Sequence, residues 1–200
     1  EIQKIYPQEE SQLADVWSKY MPSDRYDCGN IDFCNDGDKL HSIKTLEDFM
    51  SEKILLIDGH SILNRAFYGL PDLTNSEGKH TGAVYGFLNI LFRTIEEEKP
   101  QYLTVAFDLK APTFRHKMFE AYKGTRKPMP EELREQVPLI KEMLTAMGVN
   151  VVTKEGYEAD DILGTLARKS EAAGMDATIL SGDRDLLQLA TDKVMIRLPK

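Results

Sequence analysis

The stretch "KILLID", from Lys53 to Asp58, places four apolar residues between a lysine and an aspartate. A short continuous apolar run is typical of a strand that is buried on both faces of a parallel sheet. Four further runs of this kind follow it along the chain. They are "QYLTVAFD" (101–108), "VNVV" (149–152), "ATILSGD" (177–183) and "VMIRL" (194–198). We therefore expect these five segments to form the strands of one mainly parallel sheet.

Helical patterns lie between the strands. Residues 82–98 form one such pattern, which ends before Pro100, and residues 160–173 form another, which Gly174 closes. A third pattern covers residues 130–148, with proline at its start and glycine at its end, as helices favour. Pro138 lies inside it and predicts a kink. Strands that alternate with helices indicate an α/β domain.

Charge divides the 200-residue chain into two parts. Residues 1–49 carry 11 acidic and 5 basic side chains, whereas residues 50–200 carry 22 and 20. The first part also lacks sustained apolar periodicity, so we expect an acidic, poorly ordered extension that precedes a domain over residues 50–200. No signal peptide or membrane-spanning apolar run is visible, which predicts a cytoplasmic protein without a membrane partner.

Acidic residues follow four of the predicted strands. They are Asp58 after the first, Asp108 after the second, Glu158, Asp160 and Asp161 after the third, and Asp183 and Asp185 after the fourth. Each acid alone is typical of a turn or a helix cap. Ligands of open parallel sheets bind beyond the carboxyl ends of the strands, where all seven would gather. Gathered carboxylates repel one another unless a cation lies among them, and oxygen ligands favour Mg²⁺ or Mn²⁺ over Zn²⁺. Two ions at such a site are typical of phosphoryl displacement.

A basic segment, residues 108–130, lies between the second strand and the third helical pattern. From residue 110 to residue 127 it carries six Lys/Arg and one acid, with Phe114, Phe119 and Tyr122 interleaved. Cations neutralise phosphates and aromatic faces stack on unpaired bases, so the segment predicts nucleic-acid binding; a solvated loop is the alternative. We expect it to be mobile without DNA because its charges repel. Arg65 is a further candidate phosphate contact, with packing at the core edge as the alternative.

Five ordered motifs carry a resemblance to a known family. They are "LLIDGHSILNRAFYG" (55–69), "HTGAVYGFLNIL" (80–91), "VAFD" with "TFRHKMFEAYKGTRKPMPEEL" (105–108 and 113–133), "GYEADDILGTLA" (156–167) and "SGDRDLLQL" (181–189). Together they resemble the N-terminal 5′→3′ exonuclease domains of bacterial DNA polymerase I, in the flap-endonuclease branch of the PIN-like nucleases. The resemblance implies a three-layer α/β/α fold with a basic helical arch over the active site.

The resemblance also implies an activity and a set of site residues. The activity is that of a two-metal phosphodiesterase that removes 5′ flaps and primers, acting as a monomer on flapped, nicked or primed duplex DNA. All seven acids above would be ligands of two Mg²⁺ or Mn²⁺ ions, directly or through water. The implied catalytic residues are Asp58, Asp108, Asp160, Asp183, Lys123 and Arg126. The implied DNA contacts are Arg115, Tyr122, Lys123 and Arg126, beside the candidate Arg65. The family continues beyond the equivalent of residue 200, so we expect the domain to be truncated at its C-terminal end.

Three other functions remain open from the residues alone. A free-standing 5′→3′ exonuclease homologue would share all five motifs, and only the downstream sequence separates it from a polymerase. A small PIN-type ribonuclease would need fewer acids and no long basic segment. A Mg²⁺-dependent binding module, such as a phosphoacceptor domain, would carry an acidic pair after the first strand, where this chain has "IDGH" with one acid.

Overall fold

A five-stranded sheet forms the centre of the protein in a computed structural model, which describes residues 52–119, 121–124 and 128–199. The strand order is β3-β2-β1-β4-β5, and every neighbouring pair is parallel. The strands are β1 (Lys53–Asp58), β2 (Tyr102–Ala106), β3 (Asn150–Val152), β4 (Asp176–Leu180) and β5 (Val194–Arg197). All five predicted strands are confirmed. The predicted extension, residues 1–49, lies outside the described residues, and its order stays a prediction.

The central strand β1 is buried on both faces, as its apolar run predicts. Leu55 and Ile57 pack into the core on one side of the sheet, and Ile54 and Leu56 pack into the core on the other. All four side chains have no solvent-exposed surface. Burial of each stabilises the fold by about 1.5–3 kcal/mol relative to exposure, which fixes β1 and the residue that follows its apolar run.

Helices cover both faces of the sheet. They are α1 (Gly59–Gly69), α2 (Gly82–Glu98), α3 (Phe114–Met118), α4 (Glu131–Arg134), α5 (Gln136–Ala146), α6 (Ala159–Ala172) and a 3₁₀ helix (Arg184–Leu189). Side chains of α1, α2, α4 and α5 build the core on one face, and those of α6 and the 3₁₀ helix build it on the other. The three-layer α/β/α architecture is thus confirmed. Helix α1 and the 3₁₀ helix were not predicted from the sequence.

The helix predicted over residues 130–148 is divided into α4 and α5 by a turn at Glu135. Pro138 has no N–H for the carbonyl of Arg134, and its ring crowds that carbonyl. The carbonyl of Arg134 therefore loses its helical hydrogen bond, and the helix is interrupted at the next residue, Glu135. Gly148 and Gly174, the predicted helix stops, have φ values of 72° and 82°, which favour glycine.

Parallel pairing brings the carboxyl ends of the strands to one edge of the sheet. Helix α1 begins there directly after β1, and α6 begins there after the loop that follows β3. The residues at these junctions therefore face a common space. None of the helices in residues 52–119, 121–124 and 128–199 has the length and apolar character that crossing a bilayer requires.

Candidate active site

Asp58 lies at the junction of β1 and α1. One carboxylate oxygen accepts a hydrogen bond of 3.0 Å from the Ser61 N–H and so caps the helix, and the other accepts a bond of 2.9 Å from the Ser181 hydroxyl. The side chain is buried, with 6% of the residue exposed. Burial is the main cause that raises the pKa of Asp58 above its ordinary value, against the two hydrogen bonds that lower it.

Asp108 follows β2 and is held by the start of α6. Its Oδ1 atom accepts a hydrogen bond of 2.7 Å from the Ala159 N–H. Its Oδ2 atom lies 3.5 Å from Nδ1 of His60. Burial raises the pKa of Asp108, but the contacts with His60 and Ala159 outweigh it, so the pKa is lowered and the carboxyl group stays ionised. The backbone of α6 thus orients an acid that belongs to β2.

Asp160 is the second residue of α6 and faces the other acids. Partial burial is the main cause that raises its pKa to about 7, and the negative charges of Asp58, Asp183 and Asp108 raise it further. A carboxylate with this pKa lies among neighbours of its own sign, which is the environment that a cation would relieve.

Asp183 follows β4 and caps the 3₁₀ helix. Its Oδ1 atom accepts a hydrogen bond of 2.9 Å from the Asp185 N–H, and its own N–H donates to the Ser181 hydroxyl at 3.0 Å. Ser181 therefore links Asp183 to Asp58 across the ends of β4 and β1. Asp185 takes part in this hydrogen-bond network through its backbone N–H.

We call Asp58, Asp108, Asp160 and Asp183 the acidic edge. Among the described residues, no three carboxylate, imidazole or thiolate groups lie close enough together to form a ready-made metal site. The acids of the edge are instead coupled electrostatically, since Asp160 senses the charges of all three others. Their chemistry fits a hard divalent cation, because every donor is a carboxylate oxygen and the negative charges of the other three acids add to burial in raising the pKa of Asp160.

Two further predicted ligands at the start of α6, Glu158 directly before it and Asp161 within it, contact the basic segment. Asp161 forms two hydrogen bonds of 2.7 Å with the guanidinium group of Arg115. Glu158, which is 7% exposed, accepts bonds of 2.8 Å from Lys123 Nζ and 3.2 Å from the Tyr122 hydroxyl. Three of the predicted DNA contacts, Arg115, Tyr122 and Lys123, thus lie beside predicted ligands. The positive charges of Arg115 and Lys123 are already neutralised by Asp161 and Glu158.

We call residues 109–130 the arm, of which residues 109–119, 121–124 and 128–130 are described. Thr113 caps the short helix α3, and the Phe114 N–H donates to the Gly156 carbonyl at 3.0 Å. The arm therefore lies against the loop before α6. One five-residue helix is present in its described part, so an arch of longer helices stays a prediction, as does the mobility of the arm. Arg126 lies outside the described residues.

Arg65 lies on the exposed side of α1. With Ser61, Tyr68 and Gly182 it lines a groove of about 750 Å³ that runs from the junctions of the sheet edge along α1. The four acids of the acidic edge do not line this groove. The position fits a contact with DNA that extends beyond the acidic edge, and this role stays a prediction.

Three residues of the site were not predicted from the sequence. Ser61 and Ser181 hold Asp58, and Ser61 Oγ also accepts a bond of 2.8 Å from the Gly182 N–H. His60 contacts Asp108 and packs edge-on against Phe107, with ring centroids 5.3 Å apart. The cap signal in the sequence is Asp58 itself, whose side chain accepts from the backbone N–H of Ser61; neither serine nor His60 carries a signal of its own.

Curated relatives match about three quarters of the chain. DNA polymerase I of Bacillus subtilis (strain 168) is 49% identical over 149 residues, which are 74% of this chain and 17% of that protein. DNA polymerase I of Bacillus caldotenax is 48% identical over 151 residues, 76% of this chain and 17% of that protein. The thermostable DNA polymerase I of Thermus filiformis is 46% identical over 148 residues, 74% of this chain and 18% of that protein. The chain therefore spans less than a fifth of the length of these relatives.

Solved structures share the fold at lower sequence identity. The T5 D15 protein co-crystallised with metal ions matches with a TM-score of 0.58 and 20% identity, covering 74% of this chain and 55% of that one. The bacteriophage T5 D15 flap endonuclease in a pseudo-enzyme-product complex with DNA and metal ions matches with a TM-score of 0.54, 20% identity and the same coverage. Residues 53–199 match the family described as "5′-3′ exonuclease, N-terminal resolvase-like domain". Since this match covers the whole sheet and its helices, the chain belongs to the 5′-3′ exonuclease N-terminal domain family.

Proposed function

We propose that this chain is the nuclease portion of a metal-dependent 5′→3′ exonuclease and flap endonuclease that acts on DNA. The observation that carries the proposal is Asp160, a half-buried carboxyl group whose pKa is raised to about 7 by burial and by three acids from other strand ends. An uncompensated cluster of this kind destabilises a fold, so its presence at the ligand-binding edge of a parallel sheet points to a function.

The acidic edge would hold two Mg²⁺ or Mn²⁺ ions, with Asp58, Asp108, Asp160 and Asp183 as ligands. The oxygen-only donor set supports these ions. The two T5 proteins were also crystallised with metal ions. When bound, such ions supply a water of lowered pKa and neutralise charge at the attacking and leaving oxygens of a phosphodiester. The sequence prediction added Asp185, Glu158 and Asp161 to this set; the last two also contact the arm.

The arm would bind the 5′ strand and present it to the acidic edge. Lys123 and Tyr122 supply a cation and an aromatic ring directly beside α6, where a phosphate could replace Glu158 as the partner of Lys123. Arg126 is proposed for the same strand, and Arg65 for DNA along the groove beside α1. Asp58, Asp108 and Asp183 are already oriented by backbone N–H groups, and Asp58 also by the Ser181 hydroxyl, so little reorganisation of these three acids is needed.

The whole protein is proposed to be a bacterial DNA polymerase I acting in primer removal and repair. Supporting this, the matched relatives are DNA polymerases I in which the equivalent segment is 17–18% of the length. A free-standing exonuclease is the alternative, and the reading frame downstream of residue 200 distinguishes the two. A monomeric state and a cytoplasmic location also stay proposals.

Single-turnover cleavage of a labelled 5′-flapped duplex tests the function. We expect the full-length protein to release the flap in Mg²⁺ or Mn²⁺ and to stop when EDTA is added. An unflapped, single-stranded oligonucleotide and an RNA hairpin serve as comparison substrates. Metal binding without cleavage of any DNA by the full-length protein would contradict the proposal and favour a non-catalytic Mg²⁺-binding module. Preference for the RNA hairpin would favour a PIN-type ribonuclease.

A further inference from the structure

The carboxylate of Asp161 is already fully engaged. Its Oδ1 and Oδ2 atoms each accept a 2.7 Å hydrogen bond from a different nitrogen of the Arg115 guanidinium group. Oδ2 also accepts a bond of 3.0 Å from the Glu158 N–H, at the first turn of α6. A paired fork of this kind fixes both the position and the orientation of an arginine, and its charge-assisted bonds are among the stronger ones in proteins. A metal ion at these oxygens would compete with Arg115 for them.

Asp160 and Asp161 face different surroundings although they are adjacent. Successive residues of an α-helix project about 100° apart, so the two carboxylates cannot point to the same place. The Asp160 carboxyl group lies near the acids Asp58, Asp183 and Asp108, whereas both oxygens of Asp161 are bonded to Arg115. The two adjacent acids therefore face different groups.

The Arg115 contact is accompanied by others that hold the arm against the start of α6. The Phe114 N–H donates to the Gly156 carbonyl at 3.0 Å, and Lys123 donates to Glu158 at 2.8 Å. The Arg115 guanidinium also lies over the ring of Phe114, with its central carbon 4.5 Å from the ring centroid. The ring and the carboxylate together restrict Arg115 to one geometry. The side chain of Asp161 is 21% exposed and that of Arg115 is 32% exposed, so the pair is partly shielded from water.

We propose that Asp161 is a positioning residue that docks the arm through Arg115, and that it is not a metal ligand. The purpose of the docking rests on the proposed nuclease function, because an arm that delivers a strand must be placed relative to the acidic edge. The docking itself is a property of the chain without metal or DNA. It is the alternative to the sequence prediction that Asp161 ligates an ion, directly or through water, and one experiment decides between them.

The chain supplies its own matched control, since Asp160→Asn and Asp161→Asn remove the same charge from adjacent residues. Asparagine keeps an oxygen for the Glu158 N–H, so α6 retains that bond. Two measurements are made on the full chain. Titration with Mn²⁺ alone gives its affinity, and hydrogen exchange without metal gives the protection of the amides in residues 114–119.

We expect Asp161→Asn to bind Mn²⁺ within about twofold of the unaltered chain and to lose arm protection by about tenfold or more. Asp160→Asn should do the reverse, with Mn²⁺ binding weakened about tenfold or more and arm protection unchanged. Equal loss of Mn²⁺ affinity in both variants would overturn the proposal. So would unchanged arm protection in Asp161→Asn. If the chain neither cleaved DNA nor bound Mn²⁺, the nuclease function would fail, and the exchange comparison would still decide the docking role.

Two further variants separate docking from a general loss of structure. In Arg115→Lys the charge remains but the paired fork is lost, so arm protection should be intermediate. In the double variant Arg115→Asp with Asp161→Arg the pair is reversed, and protection should return above that of either single change. If the reversed pair stayed as unprotected as the single variants, a specific docking contact between these residues would be refuted.

Discussion

The acidic edge and the arm are built in different ways. The acidic edge comes from the ends of buried parallel strands and from α6. The side chains of Asp58, Asp108 and Asp183 are held by backbone N–H groups, and Asp58 also by the Ser181 hydroxyl. The described part of the arm contains a short helix and turns, and ion pairs hold it at the start of α6. One half of the site is therefore fixed by the core of the fold, whereas the other half is held by charges that a polyanion could compete for.

This difference assigns different consequences to similar mutations. Removing one charge from the acidic edge leaves the fold intact and relieves repulsion, so the loss should fall on chemistry. Removing one charge from the arm should weaken DNA binding and disturb the position of the DNA. It should also make DNA binding less dependent on salt concentration.

Asp160→Asn in the full-length protein should reduce single-turnover cleavage of a 5′-flapped duplex by at least about 100-fold, because one charge-bearing ligand is lost from the reacting centre. Binding of the same duplex in Ca²⁺ should survive. Asp192→Asn, which removes an exposed acid after the 3₁₀ helix, is the control and should cleave normally. Near-normal cleavage by Asp160→Asn would remove this residue from the metal site.

The same residue predicts how the stability of the metal-free chain depends on pH. The pKa of Asp160 is about 7 in the folded state against an ordinary value of 3.8. The folded state therefore holds this proton more tightly than the unfolded state, and stability is lost as the pH rises from about 4 to about 7. The difference of about three pKa units limits the loss to about 4 kcal/mol, and the partial exposure of Asp160 reduces it further.

Urea unfolding in EDTA at pH 5 and pH 8 measures this effect. The unaltered chain should be less stable at pH 8, and the difference should shrink in Asp160→Asn, which has no proton to lose. Mg²⁺ or Mn²⁺ at pH 8 should restore stability to the unaltered chain, since an ion that binds only the folded state shifts the equilibrium. A flat pH profile for the unaltered chain would contradict the repulsion inferred for the acidic edge.

Gly59→Ala should destabilise the part of the core that supports the acidic edge. A Cβ atom at Gly59 would lie 2.5 Å from the ring of Phe107, which is fully buried and precedes Asp108. The ring must shift, at a cost of about 1–3 kcal/mol in the free energy of unfolding. Gly69→Ala at the other end of α1 is the control, because a Cβ atom there meets nothing within 4 Å. Thermal melts should separate the two variants, and equal melting temperatures would show that Phe107 adapts freely.

The acidic edge was largely predictable from the sequence, and the reason is geometric. A buried parallel strand must end at the ligand-binding edge, so Asp58, Asp108 and Asp183 could be placed from the apolar runs before them. The different surroundings of the Asp160 and Asp161 carboxyl groups could not be predicted in this way. Both follow the same strand, and only the orientation of α6 determines which one faces the other acids.

The arm was predictable in composition but not in contacts. Six basic residues with aromatic neighbours indicate a polyanion partner, and self-repulsion was the expected result of their charge. In the structure, Arg115 and Lys123 are neutralised by Asp161 and Glu158, which lie more than 30 positions away in the sequence. The apolar periodicity of the sequence does not predict such ion pairs, because neither partner belongs to a regular apolar pattern.

Lys123→Ala in the full-length protein is predicted to have the smallest effect and tests the arm alone. If Lys123 exchanges Glu158 for a phosphate when DNA binds, the logarithm of affinity should fall less steeply with the logarithm of salt concentration, by about one unit of slope. Lys193→Ala is the matched control, since Lys193 is an exposed lysine directly before β5, at the end of the sheet opposite to the acidic edge. Binding of the flapped duplex in Ca²⁺ over a range of salt concentrations gives both slopes. An unchanged slope for Lys123→Ala would mean that the Glu158 pair persists in the complex. The arm would then be a fixed part of the fold, and the distinction between a core-built half and a charge-held half would fail.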